Sequence, residues 1–391
     1  MDKKYWIFLI IITLGFGNLG GSFQPSRLLL IISIVFLRIK IRNNVRLSST
    51  IGLIVCAIWF IYSLITLIWS TSPLIGLNSE IIANSIGMLS LLVFSNFPNE
   101  KYLISTIRNG WICGLGITIL MGVYEVYTGN HFWYAEDDRI LGGIGIEVPY
   151  ATGFFGNSNN YCTFIILCFP YALWLFFETH KIVFKLILLA LILTCTFLIF
   201  IDGSRMATIV LLFQSIYFLI SFAKNIFKNI IIVLIIAVAL FIYVPWDALF
   251  LVLNYRGANF EEDSRSVMVL AGLKMLVMSY GFGVGAGSFE DYAINMNNFD
   301  HISNPHNLFL EIVSQYGWII FTLFNFWLFH IFIKSIKNTT ISKGAKVTVQ
   351  ILILTIPLIG AINSIALGTT CWWVCFSSLA VIVDSRQIQE T

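Results

Sequence analysis

Residues Ser264 to Gly317 decide how this chain is read. They run SRSVMVLAGLKMLVMSYGFGVGAGSF from Ser264 to Phe289, then a polar stretch, then NPHNLFLEIVSQYG from Asn304 to Gly317. In a chain that is 58% hydrophobic and 11% charged, this segment gathers an arginine, a lysine, alternating glycines, two histidines and several acids. Long apolar runs flank it. Charge near a bilayer is costly, so polar residues collected between membrane spans point to function.

Working outward, 391 residues with a mean hydropathy of +0.87 exclude a soluble globular protein and indicate an all-α polytopic membrane protein. The formal net charge of +3 carries little by itself, because the distribution of Lys and Arg between the two sides matters more than their sum. The N-terminal MDKKYWIFLIIITLGFG has the basic start and apolar run of a secretory signal. It lacks an A-x-A-like cleavage site and further spans follow, so it reads as a retained first helix. Of the 7 cysteines, most fall in apolar runs, where they read as small packing residues. Cys371 and Cys375 are four apart, but no His or carboxylate stands near them to complete a metal site, and no metal is expected.

A helix needs about 20 apolar residues to cross a bilayer. On that ruler about twelve spans are expected, at residues 5–20, 24–37, 51–69, 77–95, 104–126, 158–177, 183–201, 206–222, 229–245, 316–333, 347–366 and 371–383. Charge bias agrees. With the N-terminus in the cytoplasm, all of the 23 basic residues except Arg27, Arg139, Arg205, Arg256, Arg265 and Lys274 fall on the cytoplasmic side. Both termini are therefore expected inside. Two long connections, residues 127–157 and 246–315, are expected outside, and long loops of this kind are more often functional than accidental. The whole chain reads as one transmembrane domain.

In the first long loop, Glu136, Asp137, Asp138 and Glu147 suit either a solvated face or a cation or sugar site. Its end, TGFFGNSNNY, places Asn157, Asn159 and Asn160 where the sixth span begins, able to cap the helix or to bond a sugar. Between spans seven and eight, Asp202, Gly203 and Ser204 read as an N-cap. Arg205 follows, where a cation opposes the helix dipole and invites an anionic partner; Asp202 is the simplest such partner.

In the large loop, Val267, Val269, Leu270, Leu273, Leu276 and Val277 alternate with Arg265, Lys274 and Ser279 as in an amphipathic helix at the outer interface, capped by Asp263 or Ser264. Arg265 at its start suits an anion or an ion pair with Glu261, Glu262 or Asp263. The glycines at 281, 283, 285 and 287 are not a dinucleotide fingerprint: the spacing differs and no strand precedes them. They permit either a close chain crossing or backbone N–H groups aimed at a phosphate. His306 follows the turn-forming Asn304 and Pro305 just before the tenth span, with Asn307 beside it; His301 is less constrained.

Taken together these motifs resemble the bacterial O-antigen ligases and the related O-antigen and capsule polymerases. The resemblance rests on Ser-Arg at 204–205 opening a span, Ser-Arg at 264–265 opening the large loop, the glycine ladder closing with Gly287, Ser288 and Phe289, and HNLFLE from His306 to Glu311. YEVYTGN and TGFFGNSNN upstream also look like the family. The likeness covers roughly residues 120–335, and outside it only the hydropathy agrees.

The resemblance implies a membrane glycosyltransferase in surface polysaccharide synthesis, with its active site on the outer face of the bacterial cytoplasmic membrane. The donor would be an undecaprenyl-diphosphate-linked glycan and the acceptor a hydroxyl on a lipid A core (ligase) or on another lipid-linked repeat unit (polymerase). Transfer would proceed with inversion, and polymerase is slightly favoured. Arg205 and Arg265 would hold the diphosphate, since a guanidinium binds phosphate oxygens in pairs and remains ionised. His306 would accept the acceptor's proton or hydrogen-bond phosphate. Lys274, Arg256, Asn157, Asn159, Gly285, Gly287 and Asn307 would line the substrate. No cofactor is implied and no nucleic acid; polysaccharide export and chain-length proteins are possible partners. The paired, separated carboxylates of soluble glycosidases are missing, Glu261, Glu262 and Asp263 being adjacent. The alternative is a transporter or flippase of a lipid-linked or small anionic substrate. Twelve spans with Pro170 and Pro357 inside them suit it; the gathering of polar residues at one rim and the absence of a two-half repeat do not.

Overall fold

A computed structural model describes residues 3–19, 23–36, 46–96, 100–133, 140–141, 146–147, 150–223, 261–297, 305–362 and 367–385. The expected ninth span and Arg256, His301 and Asn304 lie outside them. The described chain is helical apart from a two-residue hairpin, Ile140–Leu141 against Ile146–Glu147. In chain order the helices are α1 (Lys3–Ile12, continued by a 3-10 turn Thr13–Phe16), α2 (Pro25–Phe36), α3 (Leu47–Thr66), α4 (Pro73–Ser95, with a π-helical turn at Gly76–Ile81) and α5 (Glu100–Thr128). Then come α6 (Ser158–Glu178), α7 (Ile182–Ile201), α8 (Arg205–Phe222), α9 (Glu261–Met278), α10 (Phe289–Asn297), α11 (Leu308–Lys337), α12 (Lys343–Gly360) and α13 (Thr370–Asp384).

Eight of these, α3 to α8 with α11 and α12, are long and apolar enough to cross a bilayer. The first, second and twelfth expected spans fall on the shorter apolar helices α1, α2 and α13. At the centre, α6 has 78% of its span window buried and touches α5, α7, α8 and α12. By contrast α7, the most apolar helix at a hydropathy of 2.8, is only 22% buried and presents its side chains outward. That combination fits a helix facing lipid, where apolar exposure costs nothing. All seven cysteines are free; five are buried, Cys371 is half-buried and Cys113 is exposed on α5, against the expectation of packing.

The two ends of the bundle differ in chemistry. At one end the Asp384 carboxylate accepts from the amides of Ser48 (2.9 Å) and Ser49 (3.2 Å) and pairs with Lys334, tying the ends of α13 and α11 to the start of α3. Glu178 likewise accepts from the Gly344 amide at 2.8 Å and from Trp174 Nε1 at 2.6 Å. Most described Lys and Arg stand at this end. At the other end, Arg27 donates to Thr370 Oγ1 (3.1 Å) and to the Gly368 carbonyl, and the Gln24 side chain accepts from the Thr370 amide at 3.0 Å.

Pro170 sits inside α6 without breaking it. A proline removes the N–H that would bond the carbonyl four residues back. Here that carbonyl is Ile166, and Gln214 Nε2 of α8 approaches it at 3.4 Å while also reaching Thr355 Oγ1 of α12 at 3.3 Å. Thr348 Oγ1 donates in turn to the Pro170 carbonyl at 3.3 Å. Pro170 therefore lies inside its span without interrupting it, since neighbouring helices supply the missing donor and α6 runs through.

The tenth span also departs from expectation. The helix begins at Leu308 rather than 316, capped by Asn307, whose Oδ1 accepts from the amides of Phe309 (2.9 Å) and Leu310 (3.1 Å), and it is broken at Gly317, with φ 71° and ψ −170°. A break leaves carbonyls of the preceding turn without donors. The glycine ladder fills them: Val284 N donates to Ser314 O (2.9 Å) and Gly285 N to Gln315 O (3.0 Å), while Trp318 N turns away to Gly281 O (3.0 Å). Gly281, Gly283, Gly285 and Gly287 all have positive φ, and a Cβ on Gly283 would fall on the Gln315 carbonyl. Of the two readings open for the ladder, the close crossing is the one the chain adopts.

Two stability outcomes are expected. Gly317→Ala combines a left-handed residue with a Cβ lying on the Gly281 carbonyl oxygen, and destabilises by at least about 2 kcal/mol, whereas Gly116→Ala, with no atom within 4 Å, is neutral or stabilising; thermal unfolding of the purified proteins reads both. Gln214→Leu costs about 0.5–1.5 kcal/mol in the parent chain. In a Pro170→Ala background, where the restored N–H takes back the Ile166 carbonyl, that cost shrinks; an undiminished cost in the double-mutant cycle rules the Pro170–Gln214 link out.

Candidate functional site

The glycine ladder is the framework of one end of the bundle. Residues 281–288 enter between α11 and the end of α3. Trp69 Nε1 donates to Gly283 O (3.1 Å), Ser70 Oγ to Ala286 O (2.8 Å), and Ser288 Oγ accepts from the Thr71 amide (3.0 Å). The ladder's own amides are spent inside the protein: Gly283 N on Ser279 Oγ (2.9 Å), Ala286 N on Thr66 Oγ1 (3.2 Å) and Gly287 N on Gln315 Oε1 (2.6 Å). Gly285 and Gly287 thus have no amide N–H left to offer a phosphate, and they serve instead to let three backbone segments meet.

Beneath the ladder, Tyr316 Oη donates to Glu80 Oε2 at 3.1 Å. Glu80 lies on the π-helical turn of α4 and is 9% exposed; Glu311, the last residue of HNLFLE, is 2% exposed. Buried carboxylates at this end are a feature that hydropathy does not reveal, because a single acid hardly alters a window average. The YEVYTGN and HNLFLE resemblances are the signals that contain two of them, Glu125 and Glu311.

Glu125, 1% exposed near the end of α5, accepts from three amides: Phe132 (2.9 Å), Thr152 (2.6 Å) and Gly153 (2.8 Å). His131 Nδ1 stands 3.6 Å from the same carboxylate. A second buried acid, Asp202, accepts from the Ala151 amide at 2.7 Å. The expected Asp202–Ser204 cap holds in position only, Ser204 being the N-cap residue of α8. Asp202 ends α7 and holds the first long loop, and Ser204 makes no side-chain capping bond to α8. Two carboxylates pin residues 151–153 from opposite sides, which sets the path into α6. There Asn157 is the cap, its Oδ1 accepting from the Asn160 amide at 2.8 Å, with Asn159 half-buried in the first turn.

The candidate cations and the histidine are distributed as follows. Arg205 is the first residue of α8 and is exposed. The helix carrying Arg265 opens at Glu261, three residues before the expected cap, so Arg265 stands a turn inside it. His306 is half-buried and has φ 45°, a left-handed conformation that is rare outside glycine, held between Pro305 and the Asn307 cap. Their helices form one chain of contacts: α9 packs on α11, α11 on α12 and α12 on α8. At this end Gly360 of α12 abuts Leu308, two residues after His306.

Lys274 does not join this group. In α9 the buried residues Met268, Ala271, Gly272 and Met275 face α11 and α10, and a Cβ on Gly272 would meet the Leu310 side chain. Lys274 is exposed among Leu270, Leu273 and Val277 on the opposite face. At about 100° per residue, the nine positions between Arg265 and Lys274 amount to half a turn of difference, so the two cannot serve one ligand from one helix face. Among the described residues no group of three or more His, Cys, Asp or Glu side chains is placed to hold a metal ion.

Residues 189–325 match the family described as O-antigen ligase. That segment contains Arg205, Arg265, the ladder, His306 and Asn307, while Asn157 and Asn159 precede it. A curated relative, the teichuronic acid biosynthesis protein TuaE of Bacillus subtilis (strain 168), is 26% identical over 281 residues, covering 68% of this chain. The chain spans only 56% of that relative's length. The helical bundle with its apolar spans is that of a polytopic membrane protein, and its segment 189–325 is similar to the O-antigen ligase family.

Proposed function

We propose that this chain is a membrane glycosyltransferase of surface polysaccharide synthesis, acting on an undecaprenyl-diphosphate-linked glycan as a polymerase rather than a ligase. The observation that carries the reading is that Arg205, Arg265 and His306 all fall inside the segment similar to the O-antigen ligase family, on or beside helices linked by the contacts of α9 with α11, α11 with α12 and α12 with α8. The named role of TuaE in teichuronic acid biosynthesis supports an assignment to polysaccharide assembly. The predominance of Lys and Arg at the opposite end supports an extracytoplasmic site in the cytoplasmic membrane.

In this mechanism an acceptor hydroxyl oxygen bonds to the anomeric carbon as the bond from that carbon to the diphosphate oxygen breaks. The lipid diphosphate leaves with the electron pair, and the configuration inverts. Arg205 and Arg265 stabilise the charge that develops on the leaving group, a role suited to preorganised guanidinium groups because it needs no reorganisation during the reaction. His306 takes the hydroxyl proton or holds the phosphate. Its strained backbone, fixed by the Asn307 cap, supports a positioned rather than mobile imidazole. Lys274 has no part in this site. The continuous α6 through Pro170 weighs against the transporter alternative, which calls for discontinuous helices at midplane.

Gel analysis of surface glycan in a deletion strain, complemented with variants present at parental levels in the membrane, tests the proposal. Arg205→Ala, Arg265→Ala and His306→Ala are each expected to abolish long chains while single repeat units persist. Accumulation of lipid-linked polymer instead would reassign the chain as a ligase. Parental glycan from both Arg265→Ala and His306→Ala would refute the glycosyltransferase site.

A further inference from the structure

The face of α9 turned away from α11 has no protein partner among the described residues, and it is apolar. Leu270 is 54% exposed, Leu273 48%, Val277 75% and Met278 59%, with Lys274 among them. In a helix standing in water such a face would be a liability.

Its level relative to the spans removes the difficulty. α3 has 20 residues, about 30 Å of helix, the thickness of a bilayer's hydrocarbon core. Tyr62, one turn before the end of α3, donates its hydroxyl to the Phe282 carbonyl at 2.6 Å. Side chains on a helix lean towards its N-terminus, so this contact lies about 6 Å or more inside the end of α3. Trp69 bonds Gly283, and a Cβ on Gly281 would lie 3.1 Å from the Trp318 ring, where the spanning part of α11 begins. The C-terminal end of α9 is therefore anchored at the depth of the helix ends. Its exposed face continues into Ile68, Trp69, Tyr280, Phe282, Trp318 and Ile319, all more than two-fifths exposed. Exposed aromatics at one level are the mark of a membrane–water boundary.

We propose that the outward face of α9 is seated in the lipid leaflet at the ladder end, with Leu270, Leu273 and Val277 among the acyl chains and the Lys274 ammonium on a phospholipid phosphate. A lysine in an apolar face is accommodated when its stem lies along the lipid and its head reaches the phosphate layer. The helix is thus held from both sides: Met268, Gly272 and Met275 pack on protein, and Leu273 and Val277 on lipid. This assignment does not depend on the glycosyltransferase reading, because it follows from exposure and depth alone.

The test uses the full chain in nanodiscs of phosphatidylcholine and phosphatidylglycerol, with nitroxide labels on cysteines introduced one at a time at Leu273 and Val277 in a Cys113→Ser, Cys371→Ser background whose five remaining cysteines are buried, that background without an added cysteine serving as the blank. Ile319 serves as the lipid reference and Thr339, exposed in the polar turn between α11 and α12, as the water reference. Labels at Leu273 and Val277 should collide with dissolved oxygen more than with a water-soluble nickel chelate, matching Ile319. If they match Thr339 instead, α9 stands in water and the proposal fails. Lys274→Glu should bring the Leu273 label nearer the water reference in phosphatidylglycerol-containing discs, and Lys274→Arg should leave it in place. An unmoved label in Lys274→Glu would overturn the phosphate contact.

Discussion

The structure depends on one backbone exchange. Where Gly317 breaks α11, the carbonyls of Ser314 and Gln315 lose their helical donors and take the amides of Val284 and Gly285 instead, while the Trp318 amide crosses to Gly281. In lipid an unsatisfied carbonyl costs several kcal/mol, so a broken span is tolerable only where another segment supplies the missing bonds. The ladder is that segment. Glycine is required on both sides of the crossing, because a Cβ at Gly283 or Gly317 would occupy the other strand's backbone. HNLFLE, the ladder and the end of α3 are joined into one rigid unit, and His306 stands at its edge.

A second unit is built on carboxylates. Glu125 and Asp202 are withdrawn from solvent and satisfied by backbone amides of residues 132 and 151–153, so the approach to α6 is set from α5 and α7 together. Acids buried this way are stable only because several N–H groups surround them. They place Asp202, three residues before Arg205, in a structural task. Arg205 therefore follows a turn whose geometry is fixed by a different loop.

Much of this was legible in order of residues. The spans follow from apolar length, the expected orientation from Lys and Arg, and the resemblance to the O-antigen ligases from Ser204-Arg205, Ser264-Arg265, the ladder and HNLFLE in sequence. That Arg265 and Lys274 stand on opposite sides of one helix is legible too, since nine residues on a helix amount to half a turn. Which of the two faces meets protein needed Gly272 against Leu310. Asp202 reads as a cap because local sequence cannot show that the Ala151 amide, 51 positions back, bonds it, and equally it cannot show that Tyr316, 236 positions on, bonds Glu80.

By itself, then, the sequence determined a polytopic helical membrane protein, the sidedness expected of its charges and the motifs that resemble the O-antigen ligases. Those properties depend on composition, periodicity and order, which are local. Tertiary structure alone decided that the ladder is a crossing rather than a phosphate nest, that Pro170 leaves α6 intact, and that Lys274 is exposed on the face of α9 turned away from α11. Each of these turns on which distant group satisfies a backbone donor or acceptor, and such pairing between segments far apart in the chain leaves no mark on either segment read separately.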